Sequence, residues 1–136
     1  MEEKKILIVE DDPDHADLII NELKTGDIRK EIILKKNGQE VIDYFQETDI
    51  DSSDGKGLQI DLIVLDLNLP KIHGMEVLKF LKNNSMYSSI PVIIFSTSSD
   101  HKTIEKAYEN GVNGYITKPV SYEDFVEKLK ILKEYC

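Results

Sequence analysis

Short, unbroken runs of aliphatic residues alternate along this chain with stretches whose apolar residues recur every three to four positions, and that alternation leaves few folds open. The runs are Ile6–Val9, Ile32–Leu34, Leu62–Leu65, Val92–Phe95 and a weaker one at Tyr115–Thr117. The stronger runs do not alternate apolar with polar, as a strand with one wet face would, so they are expected to be covered on both sides. Ala16, Ile19, Ile20 and Leu23 keep the i, i+3, i+4, i+7 spacing of a first helix, with Asp12 as N-cap and Pro13 at the first helical position. Val41, Ile42 and Phe45 mark a second helix, and Met75, Leu78 and Leu81 a third. Ile104, Ala107 and Tyr108 mark a fourth, closed by Gly111. Ser121, followed by Asp124 in a capping-box pattern, opens the fifth, which runs through Phe125, Leu129 and Leu132.

Five strand–helix units in 136 residues predict one α/β domain over residues 1–136. It is a doubly wound, flavodoxin-like parallel sheet of five strands in the order 2-1-3-4-5, with five helices on its faces. One segment breaks the rhythm. Glu47–Ile60, "ETDIDSSDGKGLQI", is rich in glycine, serine and acid and reads as an extended, solvated acidic loop.

The charge balance narrows the partners. A net charge of −9 argues against a nucleic-acid backbone or an anionic membrane. The charged amino end, MEEKK, does not resemble a signal peptide, and no apolar run approaches the roughly 20 residues of a membrane span. Cys136 is the sole cysteine, so an intrachain disulfide is excluded, which fits a cytoplasmic location.

Chemistry gathers just after the strands. Glu10 and Asp11 follow the first run, Asp66 the third, Ser96 and Thr97 the fourth, and Lys118 the fifth. In an open α/β sheet, sites form beyond the carboxyl ends of the strands where the winding reverses, here between strands one and three. Glu10, Asp11 and Asp66 are therefore expected to meet, with Ser96 and Lys118 at their flank. Two like charges about 4 Å apart repel by about 4 kcal/mol at an effective dielectric of 20. Lys118 alone leaves such a cluster negative, so a hard divalent cation is expected, Mg²⁺ first. The set contains no His or Cys, which argues against zinc. Beside such an ion a phosphoryl group finds Lys118 for one oxygen and the Ser96 hydroxyl for another, and phosphoryl transfer asks mainly for positioning and charge neutralisation. The central carboxylate, Asp66, is the expected nucleophile, giving an aspartyl phosphate.

Taken together, "ILIVEDDP", "LIVLDLNLP", "IPVIIFSTSS" and "GYITKPV", in this order and spacing, resemble the response-regulator receiver domains of two-component signalling. The resemblance is to single-domain, chemotaxis-regulator-like members, and the long Glu47–Ile60 segment is similar to small regulators paired with phytochrome-type kinases. It implies that Asp66 is the phosphoacceptor, Asp11 a direct Mg²⁺ ligand and Glu10 a ligand through water. Asn68 would lend its backbone carbonyl, and Lys118 would pair with the phosphoryl group ahead of a cis Lys118–Pro119 bond. Ser96 and Tyr115 match the switch pair, and Asn68 and Ser98 the positions that tune phosphate lifetime. The implied partners are a sensor histidine kinase or phosphotransfer protein and a downstream protein. Self-association is implied through the face of the fourth helix, fifth strand and fifth helix. The "KIHG" after the third strand departs from the family, where Asp or Asn before the glycine is commoner.

Other readings stay open. A Mg²⁺-dependent phosphohydrolase with an aspartyl-phosphate intermediate commonly needs an acid two residues after the nucleophile, and Asn68 stands there instead. A docking module that is never phosphorylated has no use for the full set of Glu10, Asp11, Asp66, Ser96 and Lys118. A flavin site needs amides and hydroxyls where "VEDDPDHA" is acidic. The chain is therefore expected to act as a switch that catalyses only its own phosphorylation and slow dephosphorylation. With no further domain after the fifth helix, it would signal through protein–protein contacts. Among the remaining candidates, Asp12 reads as a helix cap rather than a fourth ligand, His15, near the acidic pair on the polar side of the first helix stripe, as a solvated residue, and His73 and His101 as surface residues. Cys136 reads as an inert thiol. The stripe Ile104, Tyr108, Tyr122 and Val126 reads mostly as core, with part of it open to being an exposed partner face.

Overall fold

The computed structural model describes residues 3–26, 29–50 and 60–136, the side chains of 48–50 excepted. Strands β1 (Lys4–Val9), β2 (Lys30–Lys35), β3 (Leu62–Leu65), β4 (Val92–Ser96) and β5 (Gly114–Thr117) pair in parallel in the order β2-β1-β3-β4-β5. Helices α1 (Pro13–Leu23), α2 (Gly38–Ile50), α3 (Gly74–Lys82), α4 (His101–Glu109) and α5 (Tyr122–Lys133) connect or follow them.

The two-residue period of a strand divides the core into two layers. Leu7, Val9, Ile63, Leu65 and Ile94 point to one face, where Val41 and Phe45 of α2, Val77, Leu78 and Leu81 of α3 and Ala107 of α4 cover them. Ile6, Ile8, Leu62, Val64, Ile93 and Phe95 point to the other, under Ile19 and Leu23 of α1 and Phe125, Leu129 and Leu132 of α5. Strand β3, beside β1, and β4 beyond it are wholly buried, as their unbroken apolar runs require.

Local signals set the helix ends. Asp12 accepts hydrogen bonds from the N–H groups of Asp14 and His15, so it caps α1 as expected. Ser121 accepts from Asp124 N–H and caps α5. Gly111, at φ +90°, takes the left-handed turn that follows α4. His73 caps α3 in place of the commoner Asp or Asn: its Nδ1 accepts from Met75 N–H at 3.1 Å.

Three expectations change. Of the Glu47–Ile60 loop, Glu47 through Ile50 complete α2 instead, since the acidic stretch continues the helical register begun at Val41. Residues 51–59 lie outside the described residues. Tyr108 and Tyr122, read as core, are 52% and 66% exposed, because α4 is anchored through Ala107 and α5 through Phe125, Leu129 and Leu132. The Lys118–Pro119 bond is trans, not cis. Trans is the lower-energy form even before proline, and from it the Lys118 amine already reaches both of its carboxylate partners.

Candidate functional site

Strand register builds the site. Val9 pairs with Leu65 and Ser96 with Thr117, so the next residues along, Glu10, Asp66 and Lys118, emerge at one edge of the sheet. The ladder continues a step past the strands. Asp66 N–H donates to Val9 carbonyl oxygen at 3.1 Å, and Lys118 N–H to Ser96 carbonyl oxygen at 2.7 Å. Parallel strands lie roughly 4.8 Å apart, which is the spacing that brings side chains from neighbouring strand ends together.

The side chains meet as the positions suggest. One carboxylate oxygen from each of Glu10, Asp11 and Asp66 lies within 4.8 Å of the others, Asp11 exposed and the other two buried. The Lys118 ammonium lies between two of them, bonded to Glu10 Oε1 and, at 2.9 Å, to Asp66 Oδ2. It also lies 5.7 Å from the centre of the Phe95 ring. Asp66 Oδ1 accepts from Asn68 N–H at 3.1 Å, so both of its oxygens are held.

The opposing charges separate the two buried acids. Burial pushes the Glu10 carboxyl up to about 7, against the pull of Lys118 and with the added push of Asp66. Asp66 is buried too, yet the Lys118 charge and hydrogen bond, with Asn68 N–H, outweigh burial and hold it below the usual carboxylate range. Asp66 therefore stays ionised at neutral pH while Glu10 is poised to exchange a proton.

The β4 side supplies hydroxyls. Ser96 is fully buried; its Oγ accepts from Ser98 N–H at 3.3 Å, with Asn68 Nδ2 at 3.5 Å. Asn68 Nδ2 also donates to Thr97 Oγ1 at 3.1 Å, closing a short arc over that side of the pocket. Tyr115 is half-buried, and its hydroxyl donates to the Ser98 carbonyl oxygen at 2.6 Å. Burial, then the charges of Asp100 and Asp66, push its phenol up to about 12, so it remains a donor.

The donor set suits a hard divalent cation. All three ligating groups offer carboxylate oxygen, and among the described residues Lys118 is the cation bonded to them.

Two contributors escape a reading of the sequence. Gly74 opens α3 against the Asp66–Leu67 backbone, donating its N–H to Leu67 carbonyl oxygen at 2.9 Å. A Cβ there would stand 2.3 Å from Asp66 carbonyl oxygen and 2.5 Å from Leu67 Cα, and neither backbone atom yields as a side-chain tip does. Gly74→Ala is expected to lower stability by about 1–3 kcal/mol in urea unfolding and to slow any chemistry at Asp66. The second is His15. It is half-buried rather than a plain surface residue, with Nδ1 3.2 Å from the Lys118 amine. Its place in the first turn of α1, facing the acidic crevice, was the available signal.

Comparison with known proteins agrees with this architecture. The sequence profile of the response regulator receiver domain matches residues 6–130. The chain is 35% identical over 130 residues to the probable methanogenesis regulatory protein FilR2 of Methanothrix harundinacea, covering 96% of this chain and 81% of that one. It is 33% identical over 132 residues to response regulator Rcp1 of a Synechocystis species, covering 97% and 88%. The crystal structure of the Mn²⁺-bound form of Rcp1 superposes with a TM-score of 0.87 over 96% of this chain and 92% of that one. The phosphorylated cyanobacterial phytochrome response regulator RcpA superposes with a TM-score of 0.88 at 33% identity, over 98% and 94%. Among the described residues, no helix is long and apolar enough to cross a membrane.

Proposed function

The chain belongs to the response regulator receiver domain family, and on that footing we propose that this phosphoacceptor switch of two-component signalling takes its phosphoryl group on Asp66. The observation that carries the assignment is the Lys118 ammonium bonded to Asp66 Oδ2 beside two further acids. Asp66 is ionised, buried and fixed by two hydrogen bonds, which suits a nucleophile. The donor we favour is the phosphohistidine of a sensor kinase or of a phosphotransfer protein.

In the transfer, an Asp66 oxygen forms a bond to phosphorus while the bond from phosphorus to the donor nitrogen breaks, and that nitrogen keeps the electron pair. Asp66 Oδ2 cannot be esterified and hold Lys118 as a full carboxylate too, so the ammonium shifts its hydrogen bond to a phosphoryl oxygen. The Ser96 hydroxyl, now an acceptor from Ser98 N–H, has its proton free for a second phosphoryl oxygen. Asp11 and Asp66 would hold Mg²⁺, with the Asn68 carbonyl and, through water, Glu10. The ion supplies charge neutralisation for the transferring group.

We read the chain as a switch and not as a phosphohydrolase of repeated turnover. The group two residues past the nucleophile is the Asn68 amide, which is engaged with Thr97 and has no acidic proton to give. Output by protein contact would use the exposed Tyr108, Val120 and Tyr122 around α4, β5 and α5, the surface also suited to self-association. A cytoplasmic setting fits this reading.

Incubation with Mg²⁺ and acetyl phosphate, followed by intact-mass measurement, is expected to show one labile phosphoryl adduct. The adduct should vanish in Asp66→Asn and when the divalent cation is removed with a chelator. Sustained turnover of an unrelated phosphoester would favour the hydrolase, and no adduct under any condition would favour a docking module.

A further inference from the structure

The Lys118 ammonium has three protons, and the structure gives it three acceptors: Glu10 Oε1, Asp66 Oδ2 and His15 Nδ1. An ammonium has only protons to offer, so Nδ1 receives and the ring proton is assigned to Nε2. The Asp12 Oδ2 atom stands 3.7 Å from the same Nδ1, beyond hydrogen-bond reach. Asp12 Oδ1 is occupied with the N–H groups of Asp14 and His15 at the start of α1. On its other side the imidazole packs on Phe125, with ring centres 5.0 Å apart. His15 is thus fixed through its backbone by the helix cap and through its ring by α5.

The three acceptors have different fates in the transfer described above. Asp66 would become esterified, and Glu10 would serve the cation through water. His15 has neither obligation. We propose that His15 is a positioning residue for phosphoryl transfer: it keeps hold of the Lys118 amine while both carboxylates release it, so that the ammonium meets the incoming phosphoryl oxygen from a fixed place. The inference rests on Asp66 being the phosphoacceptor. A neutral anchor suits the task, because it leaves the full charge of the ammonium for the phosphoryl oxygens. A carboxylate there would add another negative charge to an already acidic pocket and compete with the phosphoryl group for the amine.

His15→Phe keeps a ring against Phe125 and removes the acceptor, whereas His15→Asn restores an acceptor near the position of Nδ1. With acetyl phosphate at saturating Mg²⁺, His15→Phe is expected to phosphorylate about tenfold more slowly, the loss of one hydrogen bond. His15→Asn should recover most of that rate, and Mn²⁺ affinity should stay within about twofold in both. In a Lys118→Ala background, His15→Phe should change nothing further, since its effect runs through the amine. Nitrogen NMR of the wild type should find Nδ1 unprotonated, with a resonance that moves in Lys118→Ala and persists during steady-state phosphorylation. The wild-type spectra stand even if a variant does not fold. A wild-type rate in His15→Phe, an undiminished effect in Lys118→Ala, or loss of the Nδ1 signature on phosphorylation would each overturn the proposal. Failure of the wild type to accept phosphate at all would instead remove the Asp66 reading beneath it.

Discussion

At pH 8 and without divalent cation, Lys118→Ala should be less stable than the wild type by about 3 kcal/mol, the scale of breaking a buried ion pair by removing one partner. Lys118 is only 5% exposed, and its amine lies between Glu10 and Asp66, themselves 2% and 6% exposed. Removing it leaves two buried carboxylates facing each other, with Asp11 beside them. Both acids then protonate more readily in the folded chain, so the penalty should shrink as pH falls toward 5 and grow as it rises. Millimolar Mg²⁺ should restore much of the loss by binding the folded state alone, up to about 2.7 kcal/mol at a hundredfold excess over Kd. Urea unfolding at pH 5.5 and 8, with and without Mg²⁺, measures all of this. Equal stability of variant and wild type at pH 8 would mean that the lysine is not what balances the acids.

The second large effect is a pH dependence carried by Glu10. Its carboxyl titrates at about 7 in the folded chain against an ordinary value of 4.5, chiefly through burial, so the folded state binds that proton more tightly than the unfolded state. The resulting stability is fully present below pH 4.5 and is lost as pH rises through 7; the change is about 3 kcal/mol. Asp66 works in the opposite sense, because its folded carboxyl is held below 3.8. Its contribution is present above that value and is lost as pH falls below it. Unfolding free energy without metal should therefore decline between about pH 5 and 7, and Glu10→Gln should flatten that decline. The same proton must leave before Glu10 can serve a cation as a carboxylate, so divalent affinity in the wild type should weaken as pH falls from 8 to 6. A decline unchanged in Glu10→Gln would place the titrating group elsewhere.

The contrast between Lys118 and His15 shows what the sequence could carry. The positions of Glu10, Asp66, Ser96 and Lys118 were legible because each directly follows or ends an apolar run, and parallel pairing aligns strand ends by register alone. The strand order followed from alternation and the rules of doubly wound sheets. Burial at the site was not legible in the same way. A lysine next to a proline gives no sign that its amine will be enclosed, because the enclosure comes from Glu10 just past β1, Phe95 on β4 and His15 on α1. His15 was set aside because it lies off the apolar stripe of α1, yet the first turn of that helix borders the pocket. Gly74 carries no chemical group, and only the approach of α3 to the Asp66 backbone reveals why a side chain cannot stand there. The end of α2 was misplaced because serine, glycine and acid signal a loop only after the helix has run out of register, not at its first acidic residue.

The central claim is that one named carboxylate is esterified to phosphorus. Borohydride reduces an acyl phosphate to the corresponding alcohol, so the phosphorylated residue is converted into homoserine if it is an aspartate. After treatment with acetyl phosphate and Mg²⁺, reduction and proteolysis, peptide sequencing by mass spectrometry should find homoserine at position 66 and unmodified aspartate at positions 11 and 12. Homoserine at either of those positions, or none at 66 in a chain shown to carry phosphate, would contradict it.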